Sequence, residues 1–151
     1  MLVEFRVANY RSIGEEQVLS LRPDSKKSDG DNNLVFDGKY SALNALALYG
    51  ANASGKSNLL LSMSLLDSLL HLSARASSTT KLPYDPFLLR EGWDEKPTKF
   101  EITFIMQGVK YRYGVEYSLD VIEREWLYKS QSGGRSISFC GSARRSTPRS
   151  H

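Results

Sequence analysis

Gly50-Ala51-Asn52-Ala53-Ser54-Gly55-Lys56-Ser57 is the stretch that decides the fold. It fits the pattern G-x-x-x-x-G-K-[ST] at every fixed position, and that pattern has a physical origin. A chain of phosphates is a dense, strongly hydrated anion. To hold it, a backbone must turn several N–H groups inward, and side chains obstruct that approach. Gly50 and Gly55 relax the sterics where the loop turns. Lys56 supplies a cation that reaches outer phosphates, and Ser57 a hydroxyl of the kind magnesium takes as a ligand. A helix starting near Gly55 adds the partial positive charge of its N-terminus.

The flanks agree with this reading. Ala45-Leu46-Ala47-Leu48-Tyr49 is an uncharged run of strand length. From Asn58 to Leu72, Leu59, Leu60, Met63, Leu66, Leu69 and Leu70 recur at helical spacing among serines and Asp67, which predicts an amphipathic helix with a broad apolar face. Strand, glycine loop and helix in that order predict a phosphate-binding loop rather than a coil that happens to precede a helix.

Upstream, Val3, Phe5 and Val7 alternate with Glu4 and Arg6, a half-buried strand over residues 2–9. A turn at Asn9–Gly14 and a second strand over 17–21 complete a hairpin. Pro23 to Asn33 reads as a polar loop with a turn at Asp29-Gly30. Leu34-Val35-Phe36 forms a short strand before a turn at Asp37-Gly38. Downstream, the Ser/Thr-rich stretch 73–80 carries little pattern, and Phe87-Leu88-Leu89 is expected to dock on the core. Two strands follow. Phe100, Ile102, Phe104 and Met106 oppose Glu101, Thr103 and Ile105; Val109 to Tyr117 then alternates across a Gln107-Gly108 turn. A third strand, 122–128, puts Ile122, Arg124, Trp126 and Tyr128 on one side. Its aromatics are read as cross-strand packing, not as a base-stacking surface.

Composition sets bounds. With 151 residues, 40% hydrophobic and 25% charged, the chain suits one globular domain. Its leucine-rich stretch is too short and polar to span a bilayer. Glu4 and Arg6 interrupt any leader-like run, so a cytoplasmic location is expected. The lone Cys140 allows no internal disulfide, and two histidines suggest no zinc site. Charge is uneven: residues 131–151 carry four arginines and no acid, whereas the other 130 hold 16 basic and 17 acidic side chains. The body is near neutral, so a pI of 9.0 says little about nucleic acid. Pattern fades after Tyr128, and residues 130–151 are expected to be a disordered or frame-shifted basic tail beside a lobe at 1–129.

Phe5-Arg6-Val7-Ala8-Asn9-Tyr10-Arg11-Ser12 together with Gly50 through Leu60 resembles the start of ABC-type ATPases of the RecF/SMC group. More closely, it resembles AAA family ATPases related to OLD nucleases and bacterial anti-phage ATPases. The resemblance implies an α/β, P-loop NTPase lobe with a mixed sheet, a P-loop helix and an antiparallel meander, and an incomplete domain. It implies ATP and Mg2+ at Gly50, Ala51, Asn52, Ala53, Ser54, Gly55, Lys56, Ser57 and Asn58, with Arg11 and Ser12 near the phosphates and Lys56 in the catalytic role. It further implies a completing C-terminal lobe, a second ATPase head, and DNA or a nuclease as partner, with no membrane.

Hydrolysis also needs a strand-end acid and a group that orients water. No such pattern follows Leu60. Leu34-Val35-Phe36-Asp37 precedes the loop and reads as a turn; Ser132-Gly133-Gly134 is followed by no helical pattern. The chain is therefore expected to be a fragment, able to bind nucleotide and not to turn it over. Two other readings stay open: a small P-loop kinase or nucleotidase, and a non-catalytic interaction module with a basic tail.

Overall fold

The computed structural model describes residues 1–24, 31–73, 82–130 and, for the backbone alone, 136–141. In chain order the elements are β1 (Leu2–Ala8), β2 (Gln17–Ser20), β3 (Leu34–Asp37), β4 (Tyr40–Leu43), α1 (Lys56–Ser73), β5 (Thr98–Met106), β6 (Val109–Tyr117), β7 (Ile122–Ser130) and β8 (Ser136–Gly141). Six strands form a single sheet in the order β2-β1-β5-β6-β7-β8, and β3-β4 is a separate hairpin.

Alternation in β1 explains why the sheet forms. Phe5 and Val7 point to one face, where the register sets them opposite Ile102 and Phe100. Val115 and Tyr113 of β6 continue that row opposite the same β5 residues. Phe5, Phe100 and Tyr117 are fully buried there. The Phe100 ring lies 6.0–6.2 Å from those of Phe5, Tyr10 and Tyr117, spacings that favour aromatic contact. Helix α1 covers this face with Leu66, supported by Leu59, Met63 and Leu69. Its apolar stripe is narrower than the sequence predicts: Leu60 and Leu70 face outward.

The opposite face is ionic. Arg6 donates to Glu4 and to Glu16, each at 2.8 Å, and Lys99 reaches the second oxygen of Glu16 at 2.9 Å. Arg22 pairs with Glu4 at 3.1 Å. These partners let Glu4 lie buried. Farther along, the Trp126 indole donates to Glu101 at 3.0 Å and lies over Gly114, its cross-strand partner. A Cβ at 114 would sit 2.1 Å from that ring, so the glycine makes the room the indole fills. Cross-strand packing thus accounts for these aromatics, as it does for the stacked Phe104–Tyr111 pair.

Several expectations need correction. Ala45–Tyr49 is not a strand: it pairs with no described strand and is exposed throughout. An apolar run becomes a strand only when neighbours take its backbone N–H and C=O groups. Without a parallel strand there, the described sheets are wholly antiparallel, not mixed. β4 was not expected; it returns from Asp37-Gly38, whose turn is fixed by the Gly108 N–H donating to Asp37 Oδ1 at 2.6 Å. Ile122 faces the core with Tyr117 because the register shifts at Glu116/Tyr117. Ile105, read onto the polar face, is buried, and Met106 is exposed. Only Phe87 of 87–89 docks, against Trp93; Leu88 and Leu89 stay exposed. Strand β8 pairs with β7 and adds a sixth strand to the sheet. The Asp29-Gly30 turn, residues 74–80, Ser132–Gly134 and the tail from 142 lie outside the described residues.

Candidate phosphate-binding site

The loop ends where α1 begins, at Lys56, so the unpaired N–H groups of the helix's first turn open toward it. No acidic side chain stands in that turn to compete for an anion. Two glycines shape the loop. Gly55 has φ +90°, and a Cβ there would lie 3.4 Å from Ser12 Oγ. A Cβ on Gly50 would lie 3.1 Å from Ser54 Oγ. Ala53, at φ 62°, takes a left-handed conformation that a Cβ disfavours.

The Lys56 ammonium folds back over the loop. It donates to the carbonyls of Gly50 (2.7 Å) and Ala51 (2.6 Å) and reaches Ser54 Oγ at 3.3 Å. All three acceptors are neutral. A cation is therefore kept at the mouth of the loop by weak partners, ready to exchange them for charged oxygens.

Beside the loop is a cavity of about 400 Å³. Ser54, Gly55 and Lys56 form one side; Ser12, Ile13, Gly14, Gln17 and Val18 form another; Leu48, Tyr49 and Leu59 complete it. Lys56 is the only charged residue among these, and no carboxylate is among them. The Asn9–Gly14 turn is anchored to α1 by Asn58, whose amide donates to Ser12 Oγ at 2.7 Å.

The structure brings Ser12, Ser54, Gly55 and Lys56 together in this lining, with Gly50, Ala51 and Asn58 bonded to members of it. Asn52, Ala53 and Ser57 are exposed and outside it. Arg11 turns elsewhere: its Nε donates to Asp85 Oδ2 at 2.6 Å, which raises the guanidinium's pKa above its ordinary value. Gln17, Val18, Leu48 and Tyr49 went unnoticed as lining, because nothing in their pattern distinguishes a cavity wall from a strand end.

Asn9 was also missed as a clamp. Its amide donates to the carbonyls of Lys96 (2.6 Å) and Trp93 (3.0 Å), and its Oδ1 accepts from Phe87 N–H at 3.0 Å. Its own carbonyl takes the Thr98 hydroxyl at 2.7 Å. The left-handed backbone of Asn9, φ 52°, was the available signal, since asparagine tolerates it.

A glycine loop closing on a helix N-terminus, with its lysine over the mouth, defines the class: an α+β lobe of P-loop type. A family model described as "AAA domain, putative AbiEii toxin, Type IV TA system" matches residues 45–140, more than half of the chain, and the chain belongs to that family of AAA domains. No curated protein and no solved structure gives a significant match. The family carries a P-loop ATP-binding function. No helix among the described residues is long and apolar enough to cross a membrane.

Proposed function

We propose that residues 50–58 bind the phosphates of ATP with magnesium, in the N-terminal lobe of an ATPase of the ABC-type RecF/SMC/OLD-like group. One observation carries this: Lys56 is held by neutral acceptors at the mouth of the glycine loop, where the helix N-terminus opens. The residues fit the group. A side chain on Gly50 would crowd the loop, one on Gly55 would strain its left-handed backbone, and the donor set is cationic and amide in character. Lys56 gives its N–H donors to phosphate oxygens in place of the Gly50 and Ala51 carbonyls. Ser57 offers its hydroxyl to magnesium, with Asn52 and Asn58 flanking the phosphate chain. The bound metal neutralises phosphate charge and fixes its geometry.

Binding and turnover are separate properties here. Among the described residues no cluster of three His, Cys, Asp or Glu side chains could hold a metal, and the cavity lining has no carboxylate. We assign the magnesium-holding acid and the water-orienting group to a further lobe or a second head, with coupling to DNA or nuclease work in the cytoplasm. The test measures nucleotide binding and phosphate release on one preparation. We expect magnesium-dependent ATP binding that Ser57→Ala weakens, with phosphate release at background. No binding would contradict the site; sustained release by the isolated chain would contradict the division.

A further inference from the structure

Val18 lies in β2, the edge strand of the six-stranded sheet, and lines the cavity together with its neighbour Gln17. Successive side chains of a strand point to opposite faces, so a cavity that meets both residues runs along the strand's edge. The register says what that edge presents. β1 and β2 pair as Phe5–Leu19, Arg6–Val18 and Val7–Gln17, and just beyond them the Leu21 N–H donates to the Val3 carbonyl at 2.9 Å. Bonded and non-bonded pairs alternate in an antiparallel ladder. Residues 17, 19 and 21 therefore turn their N–H and C=O groups toward β1, and Val18 turns both of its own outward. Neither finds a partner among the described residues.

The rest of the cavity defines what meets that edge. Across from it stand Ser54, Gly55 and Lys56, the cationic side. Ile13, Leu48, Leu59 and Tyr49 add apolar wall, with Tyr49 91% exposed. A volume of about 400 Å³ is ordinary for a small-molecule site. The occupant that fits carries an anionic end for Lys56 and a flat apolar end with a hydrogen-bonding rim for β2, which describes a nucleotide. A peptide strand added to this edge would bond at Val18 and Ser20 alike, whereas Ser20 is not in the lining.

We propose that the open edge of β2 at Val18 reads the base of the nucleotide and selects adenine: the Val18 N–H donates to ring N1, and the Val18 C=O accepts from the 6-amino group. This rests on residues 50–58 holding the triphosphate. Guanine in the same pose sets its N1–H against the Val18 N–H and its O6 against the Val18 C=O, so donor faces donor and acceptor faces acceptor. The contact is made by main chain, and the Val18 side chain adds only apolar surface.

The experiment is calorimetric titration of Mg-ATP, Mg-GTP and magnesium tripolyphosphate, which has no base, into the native chain and Val18→Pro. Proline removes the outward N–H and leaves the ladder to β1 intact, as an edge strand allows. The native chain binds Mg-ATP at least about tenfold more tightly than Mg-GTP. Val18→Pro weakens Mg-ATP by about three- to tenfold and leaves tripolyphosphate unchanged. Equal affinity of the native chain for the two nucleotides overturns the proposal. So does a loss in Val18→Pro that tripolyphosphate shares, since a merely structural change would weaken both. Should Val18→Pro fail to fold, the triphosphate of purine riboside, which lacks the 6-amino group, decides on the native chain: it binds more weakly than Mg-ATP, and equal affinity overturns the proposal. Tripolyphosphate binding without preference between the bases removes the base reading and leaves the phosphate site standing; binding of none of the three removes both.

Discussion

The sheet and the P-loop segment are held together by different means. In the six-stranded sheet every strand has a partner, and three aromatic side chains are fully buried at its centre. Across 45–54 the backbone pairs with no described strand and the side chains face solvent, Tyr49 at 91% exposure. What fixes that segment is a few hydrogen bonds: the Asn33 amide on both backbone groups of Ala45, at 3.1 and 2.9 Å, and Lys56 on Gly50 and Ala51. Buried packing is concentrated in one region and the proposed phosphate site in the other. They meet at the Asn9–Gly14 turn, the first chain segment after β1.

The sharpest way to break this contrast is at Phe100. Phe100→Ala should destabilise the chain by about 3–5 kcal/mol, because it empties the centre of the ring cluster. Leu46→Ala should change stability by less than about 0.5 kcal/mol. Chemical unfolding of both variants checks the pair; similar losses would mean that the two regions share one core.

Asn9→Ala should cost about 1–3 kcal/mol, since it strips acceptors and donors from part-buried backbone groups of Phe87, Trp93 and Lys96. It should also weaken nucleotide binding, because the turn that lines the cavity loses its anchor. Gly114→Ala should displace the Trp126 indole and cost about 1–3 kcal/mol by overpacking, seen as a red shift of tryptophan emission with ATP binding intact.

Smaller effects sharpen the comparison further. Glu16 has its carboxyl held below the usual range, first by its hydrogen bond with Lys99 and then by Arg6. A lowered folded-state pKa gives stability that is present above the unfolded value, near 4.5, and lost as pH falls through the folded one. Glu16→Gln should therefore flatten the acid dependence of unfolding below that pH. The effect should be under about 1 kcal/mol, because the side chain is one-third exposed. In the loop, Ala53→Gly should relieve the left-handed strain and stabilise by up to about 1 kcal/mol.

Much of this was legible in the sequence, for identifiable reasons. Alternation found β1, β5, β6 and β7 because each buries one face and so must show period two. The loop stood out because its motif restricts residue type at fixed spacing. Ala45–Tyr49 misled because hydrophobicity reports a preference for burial and cannot say whether a partner is present to satisfy the backbone. Ile122 misled because a one-residue register shift reverses every face beyond it. The Asn9 clamp was illegible because it joins residues up to 89 positions apart through contacts to backbone, which leave no pattern in side-chain type, and the cavity wall at Gln17, Val18 and Tyr49 because lining a cavity calls for no particular residue type.

We propose that a segment paired with no described strand still forms a phosphate site through Lys56. Calorimetric titration of Mg-ATP into the native chain and into Lys56→Ala tests it most directly, with unfolding midpoints measured alongside. We predict saturable binding by the native chain, at least about tenfold weaker binding by the variant, equivalent to about 1.4 kcal/mol, and nearly equal midpoints. Equal affinity in the two proteins, or none in either, would contradict it.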